Sequence, residues 1–327
     1  MSRFTDLLGL RKDCEVIELS ACSDGFHQVG RQGVEMVVTQ PDRKVEYIVY
    51  SDRVLAYVKS ASGYPAYYPV EETHLERPVK AVLMDLDGTT VKSESFWMWI
   101  IEMTCQSLMG DSKFSLEESD IPHVSGHSVT EHLLYCINKY CPGKPIAEAR
   151  NFYFEHTHRE MNAILEGRGR AGAFTPAEGI KDFLMELKGR GVRLGLVTSG
   201  LYEKAYPEIL SAFETLGMGK PEDFYDCIIS AGYPLQKGSC GTLGELSPKP
   251  HPWLYAETGA VGLGMERRDR HHVVGIEDSA AGVHAIKLAG YVTVGIGGGN
   301  IQKSGTVGLC DAYCQNFSEI LNLLFEA

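Results

Sequence analysis

Val79-Lys-Ala-Val-Leu-Met-Asp85-Leu-Asp87-Gly88-Thr89-Thr90 is the stretch that decides how this chain folds. An almost unbroken apolar run ends in an aspartate, a second aspartate follows two positions later, and a glycine then permits a sharp turn. Strands of that composition are buried on both faces, as in parallel sheets covered by helices. Four later runs share the character: Val192-Arg-Leu-Gly-Leu-Val197, Cys227-Ile-Ile-Ser230, His272-Val-Val-Gly-Ile276 and Tyr291-Val-Thr-Val-Gly-Ile296. Helical patterns lie between them, so the chain from Val79 onward reads as βαβ units and the fold class as α/β.

In an open parallel sheet, ligands bind beyond the carboxyl ends of the strands. The residues just past these runs are therefore the ones to inspect. Asp85 to Thr90 follow the first run, Thr198-Ser199-Gly200 the second, and Glu277-Asp278-Ser279 the fourth, while Ser247-Pro-Lys249-Pro-His-Pro252 lies between the last two. Carboxylates, one lysine and a hydroxyl-glycine loop at one sheet edge suit a hard divalent cation and a phosphate. Asp85 and Asp278, with Glu277 nearby, offer the oxygen ligands that Mg²⁺ prefers. With the ion in place a phosphate dianion can approach a carboxylate. Asp85 is then the candidate nucleophile, dividing the displacement into formation and hydrolysis of an aspartyl phosphate. Asp87 is within reach to protonate the leaving oxygen and later to take a proton from water. Thr198 and the amides of Ser199 and Gly200 add donors for phosphate, and Lys249 adds a compact positive charge.

Outward from this core, residues 94 to 175 carry helical periodicity bounded by glycines and Pro176, the pattern of a helical insertion over the sheet. Residues 1 to 78 differ again. Short alternating stretches such as Cys14-Glu-Val-Ile-Glu-Leu19, Gly33-Val-Glu-Met-Val-Val38 and Lys44-Val-Glu-Tyr-Ile-Val-Tyr50 predict half-buried strands. Turn residues at Ser23-Asp-Gly25 and Gln40-Pro-Asp42 separate them, and Tyr47, Tyr50, Tyr57, Tyr64, Tyr67 and Tyr68 favour a sheet. The expectation is a small, mostly antiparallel β domain whose tyrosines pack the sheet, with docking or dimerisation as its alternative use.

The 327 residues suffice for two or three folding units, since a domain takes roughly 100 to 200. Hydrophobic residues at 44% and charged residues at 23% are those of a folded globular protein. Thirty-one Lys plus Arg against 43 Asp plus Glu give a net charge of −12, a field that disfavours nucleic acid and anionic membrane as partners. An anionic ligand must then be held by local cations. No apolar run reaches the roughly 20 residues of a membrane helix, and the N-terminus lacks the apolar core of a signal peptide. Nine cysteines without a Cys-x-x-Cys pair point to reduced thiols and a cytoplasmic location.

Asp-Leu-Asp-Gly-Thr-Thr, Leu-Val-Thr-Ser-Gly, Lys-Pro-His-Pro and Gly-Ile-Glu-Asp-Ser-Ala-Ala-Gly, in that order, resemble the four motifs of the haloacid dehalogenase (HAD) superfamily over residues 79 to 327. The resemblance implies a Rossmann-like core of residues 79–93 and 176–327. It implies Asp85 as nucleophile, Asp87 as acid and base, and Thr198 and Lys249 as phosphate ligands. Asp85, the Asp87 carbonyl and Asp278 become Mg²⁺ ligands. The second aspartate resembles the phosphotransferase members rather than the dehalogenases. A helical insertion at 94–175 is similar to the C1 cap of the phosphoglycolate phosphatase and β-phosphoglucomutase-like branch, and places Gly126, His127 and Ser128 where that branch carries its specificity loop. Two features depart from the branch: Lys92 stands at a position usually acidic, and the Gly-rich loop 231–246 is longer than usual. The expected function is a Mg²⁺-dependent phosphatase acting on a small phosphorylated metabolite, with residues 1–78 as an accessory module. A β-phosphoglucomutase-like phosphotransferase is the alternative within enzymes, and a non-catalytic phosphate-binding scaffold the alternative outside them. Homo-oligomerisation through the N-terminal domain is also compatible with the sequence.

Overall fold

The structure is a computed structural model that describes residues 2–10, 14–59, 65–120, 124, 129–232 and 247–326. Its strands are β1 (Ile17–Leu19), β2 (Met36–Thr39), β3 (Val45–Val49), β4 (Val54–Val58), β5 (Ala66–Val70), β6 (Ala81–Asp85), β7 (Val91–Lys92), β8 (Thr175–Pro176), β9 (Arg193–Leu201), β10 (Cys227–Gly232), β11 (Val273–Glu277), β12 (Val292–Ile296) and β13 (Ala312–Cys314). Two compact units result. One contains Met1–Thr90, Ala177–Ala205 and Pro221–Ala327, the other Val91–Pro176 and Tyr206–Lys220.

The first unit is built on a six-stranded sheet in the order β10-β9-β6-β11-β12-β13. Every neighbouring pair in it is parallel. β6, β11 and β12 are buried at every position, as their apolar composition predicts. The chain leaves β6 toward β9 on one side and returns to β11 on the other. That reversal opens a crevice at the carboxyl ends of β6 and β11, which is where the aspartate motifs stand.

Strands β1 to β5 form a second, antiparallel sheet in sequence order within the same unit. Alternation predicted strands with one wet face, yet β3 is buried at all five positions. Val45, Tyr47 and Val49 share a cluster with Phe4 and Leu8 and also with Val283, Leu288, Ile301 and Leu309 from the end of the chain. Ile48 faces a second cluster containing Cys22, Val34 and Val37. On the same face as Ile48, Glu46 accepts hydrogen bonds from Ser23 Oγ and Ser23 N, both at 2.6 Å, and from Cys22 Sγ at 3.0 Å. The loop around Cys22 thus covers the face that alternation left to solvent. The inner face of the sheet rests on the later chain rather than on a core of its own, so contacts draw no boundary at residue 78.

The second unit is mainly helical, with helices Glu94–Met109, Val129–Tyr140 and Ile146–Leu165. Phe96, Ile100, Ile101, Thr104, Cys105 and Leu108 form the buried stripe of the first, at helical spacing. Phe96 packs against Phe174 with ring centroids 4.3 Å apart and planes tilted by 36°. β7 and β8 pair antiparallel, Val91 opposite Pro176, and bring the two ends of the insertion together. Asp120 is buried and accepts from Tyr135 Oη and Lys139 Nζ, each at 2.6 Å, and from Tyr140 Oη. Among the described residues no helix is long and apolar enough to cross a membrane, and the described cysteines are buried.

Candidate active site

β6 delivers Asp85 and β11 delivers Glu277 to the same edge of the sheet, with Asp278 next in the chain. The residues after Asp85 turn back at once. Thr90 N donates to Leu86 O at 3.0 Å, and Thr90 Oγ1 donates to the Asp85 carbonyl at 2.5 Å. Gly88 holds φ at +87°, which side chains rarely adopt. A Cβ there would fall 2.2 Å from Asp278 Oδ2, so glycine is also what lets the turn close on that carboxylate. Thr89 Oγ1 lies 3.4 Å from Asp278 Oδ1. From the other side, Asn300 N donates to the Asp278 carbonyl at 3.0 Å.

Lys249 reaches this edge from the turn of Lys-Pro-His-Pro. Its Nζ donates to Asp85 Oδ1 and to Glu277 Oε1, both at 2.5 Å, with its side chain only 6% exposed. Lys249 N donates to Ser199 Oγ at 3.2 Å, joining the lysine turn to the loop after β9. Within that loop Gly200 N donates to Thr198 Oγ1 at 2.9 Å. Asp85 pairs in register with Val197, which sets buried Thr198 one step beyond it on the neighbouring strand.

Glu277 is enclosed. Oε1 accepts from Tyr255 Oη at 2.8 Å as well as from Lys249, and Oε2 accepts from Ser279 Oγ at 3.0 Å. The Ser279 hydroxyl also caps the helix Ala280–Ala289 by accepting from Gly282 N at 3.1 Å. Gly282 is required here, because a Cβ would fall 1.8 Å from the Glu277 carboxyl carbon.

Burial, and next the Glu277 carboxylate, raise the Asp85 carboxyl well above the usual range, with Lys249 opposing them. Burial works against the Lys249 charge too, but Asp85 and Glu277 outweigh it and hold the ammonium above the ordinary lysine range. Among the described residues, the buried Asp85 and Glu277 carboxylates share the Lys249 ammonium, with buried Asp278 beside them. The carboxylate oxygens of Asp85, Glu277 and Asp278 lie within 4.8 Å of one another, so the excess negative charge and the hard oxygen donors both fit a divalent cation.

Of the residues singled out from sequence, Asp85, Lys249, Glu277 and Asp278 are brought together, and Thr198, Ser199 and Gly200 stand beside them through the Lys249–Ser199 bond. Asp87 is exposed on the turn after β6. Gly126, His127 and Ser128 lie outside the described residues, as does most of the Gly-rich loop 231–246. Sequence reasoning passed over Tyr255, and it quoted Thr89 and Ser279 within their motifs without giving either a role. Only Ser279 and Thr89 carried a signal, their adjacency to Asp278 and Gly88.

A sequence model described as haloacid dehalogenase-like hydrolase matches residues 79–290. A comparison with curated proteins finds no match. Among solved structures, CbbY from Rhodobacter sphaeroides in complex with phosphate superposes with a TM-score of 0.51 at 19% identity, over 74% of this chain and 96% of its own. A putative β-phosphoglucomutase from Thermotoga maritima gives 0.52 at 20% identity, over 76% and 99%. A putative phosphatase from Clostridium difficile gives 0.56 at 16% identity, over 76% and 100%. At such identities the likeness is one of fold.

Proposed function

Because the chain belongs to the haloacid dehalogenase-like hydrolase family, we propose that it is a Mg²⁺-dependent phosphatase that hydrolyses a small phosphorylated metabolite through a covalent phosphate on Asp85. The observation that carries the reading is the buried Lys249 ammonium, 2.5 Å from both Asp85 and Glu277, beside Asp278 at the reversal point of the sheet. That is an anion-attracting charge set against a carboxylate nucleophile, inside a molecule whose net charge of −12 would otherwise repel phosphate.

Asp85, Asp278 and the Asp87 carbonyl would hold Mg²⁺, whose charge offsets the repulsion between carboxylate and phosphate. Both oxygens of Glu277 already accept from Lys249, Tyr255 and Ser279, so its part is to fix the ammonium. With Oδ1 held by Lys249, the second oxygen of Asp85 attacks phosphorus, and the bond to the leaving oxygen breaks as Asp87 gives it a proton. Water then attacks the aspartyl phosphate, Asp87 takes back a proton, and inorganic phosphate leaves with Asp85 restored. Lys249 and the donors of Thr198, Ser199 and Gly200 stabilise charge on the transferring group. That CbbY holds phosphate on the same fold supports the assignment of substrate class.

The test is phosphate release from a broad panel of phosphorylated metabolites with Mg²⁺ and with chelator, using Asp85→Asn as the blank. Metal-dependent release above the blank is expected for at least one compound. Release from none would overturn the reading.

A further inference from the structure

The turn that carries Lys249 is gripped by a residue from outside the matched region. Tyr68 lies on β5 of the N-terminal sheet and is buried. Its hydroxyl is 2.7 Å from His251 Nδ1, across 183 positions of chain. The rings meet edge to face with centroids 5.8 Å apart. Trp253 approaches the same tyrosine edge-on, with ring centroids 6.0 Å apart. Which of Tyr68 and His251 donates is set by the tautomer of the His251 ring. Burial lowers the pKa of His251, favouring the neutral ring that has an acceptor nitrogen to offer.

His251 N donates to Pro248 O at 3.1 Å, so Lys249 sits inside a turn closed by the residue that Tyr68 holds. At the other side Lys249 N is fastened to Ser199 Oγ at 3.2 Å. A lysine ammonium ends a flexible four-carbon stem, and where it rests depends on how firmly the backbone beneath it is placed. A second tyrosine of the same sheet acts alike, Tyr47 Oη lying 2.8 Å from His284 Nδ1 on the helix that begins just after Asp278.

We propose that Tyr68 is a positioning residue for Lys249: by holding His251 and Trp253 it fixes the turn from which the ammonium reaches Asp85 and Glu277. The N-terminal sheet is then part of the active-site framework. The inference rests on the role given to Lys249 above, and its test contains a readout that needs no turnover.

Full-length wild type, Tyr68→Phe, His251→Phe and the double variant are treated with acetic anhydride, and acetylation of each lysine is read by peptide mass spectrometry. Lys287, fully buried and bonded to Thr73 Oγ1 at 2.8 Å and Asp311 at 3.1 Å, is the internal reference. Loss of one hydrogen bond should raise Lys249 acetylation about fivefold with Lys287 unchanged. The double variant should match either single variant, since both remove the same bond. With p-nitrophenyl phosphate and Mg²⁺, kcat should fall about tenfold while KM stays within about twofold, as for a charge misplaced in the transition state. Tyr67→Phe, on the same strand but bonded to Asp24, should behave as wild type throughout. Unchanged Lys249 acetylation in both single variants, or an equal rise at Lys287, would overturn the proposal. Absence of turnover in every protein would count against the phosphatase reading, and the acetylation pattern would still decide this one.

Discussion

Gly88 abuts Asp278 so closely that a Cβ at residue 88 would fall 2.2 Å from Oδ2. The turn after β6 and the end of β11 are therefore fitted to each other through a missing side chain. Gly88→Ala would also force a side chain onto φ of +87°. The conformational cost alone is about 1–2 kcal/mol. Displacing Asp278 adds a functional cost, since an error near 1 Å in a catalytic group can remove about 100-fold in rate. Gly88→Ala should therefore lower the melting temperature modestly and phosphate release about 100-fold. A variant that melts lower but turns over like wild type would show that Asp278 tolerates displacement.

Asp85→Asn should separate activity from stability. The Asp85 carboxyl is raised above its ordinary value of 3.8, by burial first and by Glu277 next, with Lys249 opposing. A folded-state value above the unfolded one means that stability is fully present below the ordinary value and is lost as pH rises through the raised one. Asparagine never ionises and escapes that loss. In chelator, Asp85→Asn should melt above wild type near about pH 8, with the gap closing toward about pH 4. It should release no phosphate at any pH. Thermal melts in EDTA across that range check it, and a variant that melts lower at the alkaline end contradicts the sign of the shift.

Much of the site was readable because parallel sheets place chemistry at strand ends. Asp85, Glu277 and Asp278 each follow an apolar run, and Lys249 precedes the last of these, so the βαβ pattern alone predicts that they converge. The contacts that order them were not readable. Tyr68 meets His251 across 183 positions and Tyr47 meets His284 across 237, and no periodicity marks either pair. These tyrosines looked like sheet packing, which they are, yet their hydroxyls reach out of the sheet. The same blindness affected β3, where alternating Val45, Glu46, Tyr47 and Ile48 predicted one wet face. The outer face is covered by the loop around Cys22, whose contact with Glu46 spans 24 positions.

Removing residues 1 to 78 should unfold the protein rather than trim it. The later chain would lose the partners of Val283, Leu288, Ile301, Leu309 and Cys310, which share one buried cluster with Phe4, Leu8, Tyr47 and Val49. Lys287 would lose Thr73, leaving Asp311 beside it. Each large apolar side chain stripped of its core neighbours costs about 2–5 kcal/mol, and the sum exceeds the stability of a typical domain. A chain beginning at residue 79 should show no cooperative melt by circular dichroism. A truncated chain that melts cooperatively and still releases phosphate would establish the sheet as an accessory module.

Divalent cation should stabilise the protein through Asp278. Among the described residues, three carboxylates lie within 4.8 Å of one another and Lys249 pairs with two of them, so the folded state concentrates negative charge that the unfolded chain disperses. A ligand bound only by the folded state adds about 2.7 kcal/mol at 100 times its dissociation constant. For a chain of this size that corresponds to a rise of about 5 °C in melting temperature. Mg²⁺ should produce such a rise in wild type, and EDTA should reverse it. Asp278→Asn removes one of the carboxylates that would hold the ion and should abolish most of the rise, while itself relieving part of the repulsion in chelator. His74→Ala, at a solvent-exposed His74–Glu76–His271 cluster, should leave the Mg²⁺ effect intact, because imidazole is a poor ligand for that ion. An equal Mg²⁺-induced shift in wild type and Asp278→Asn would place the cation elsewhere than between Asp85 and Asp278.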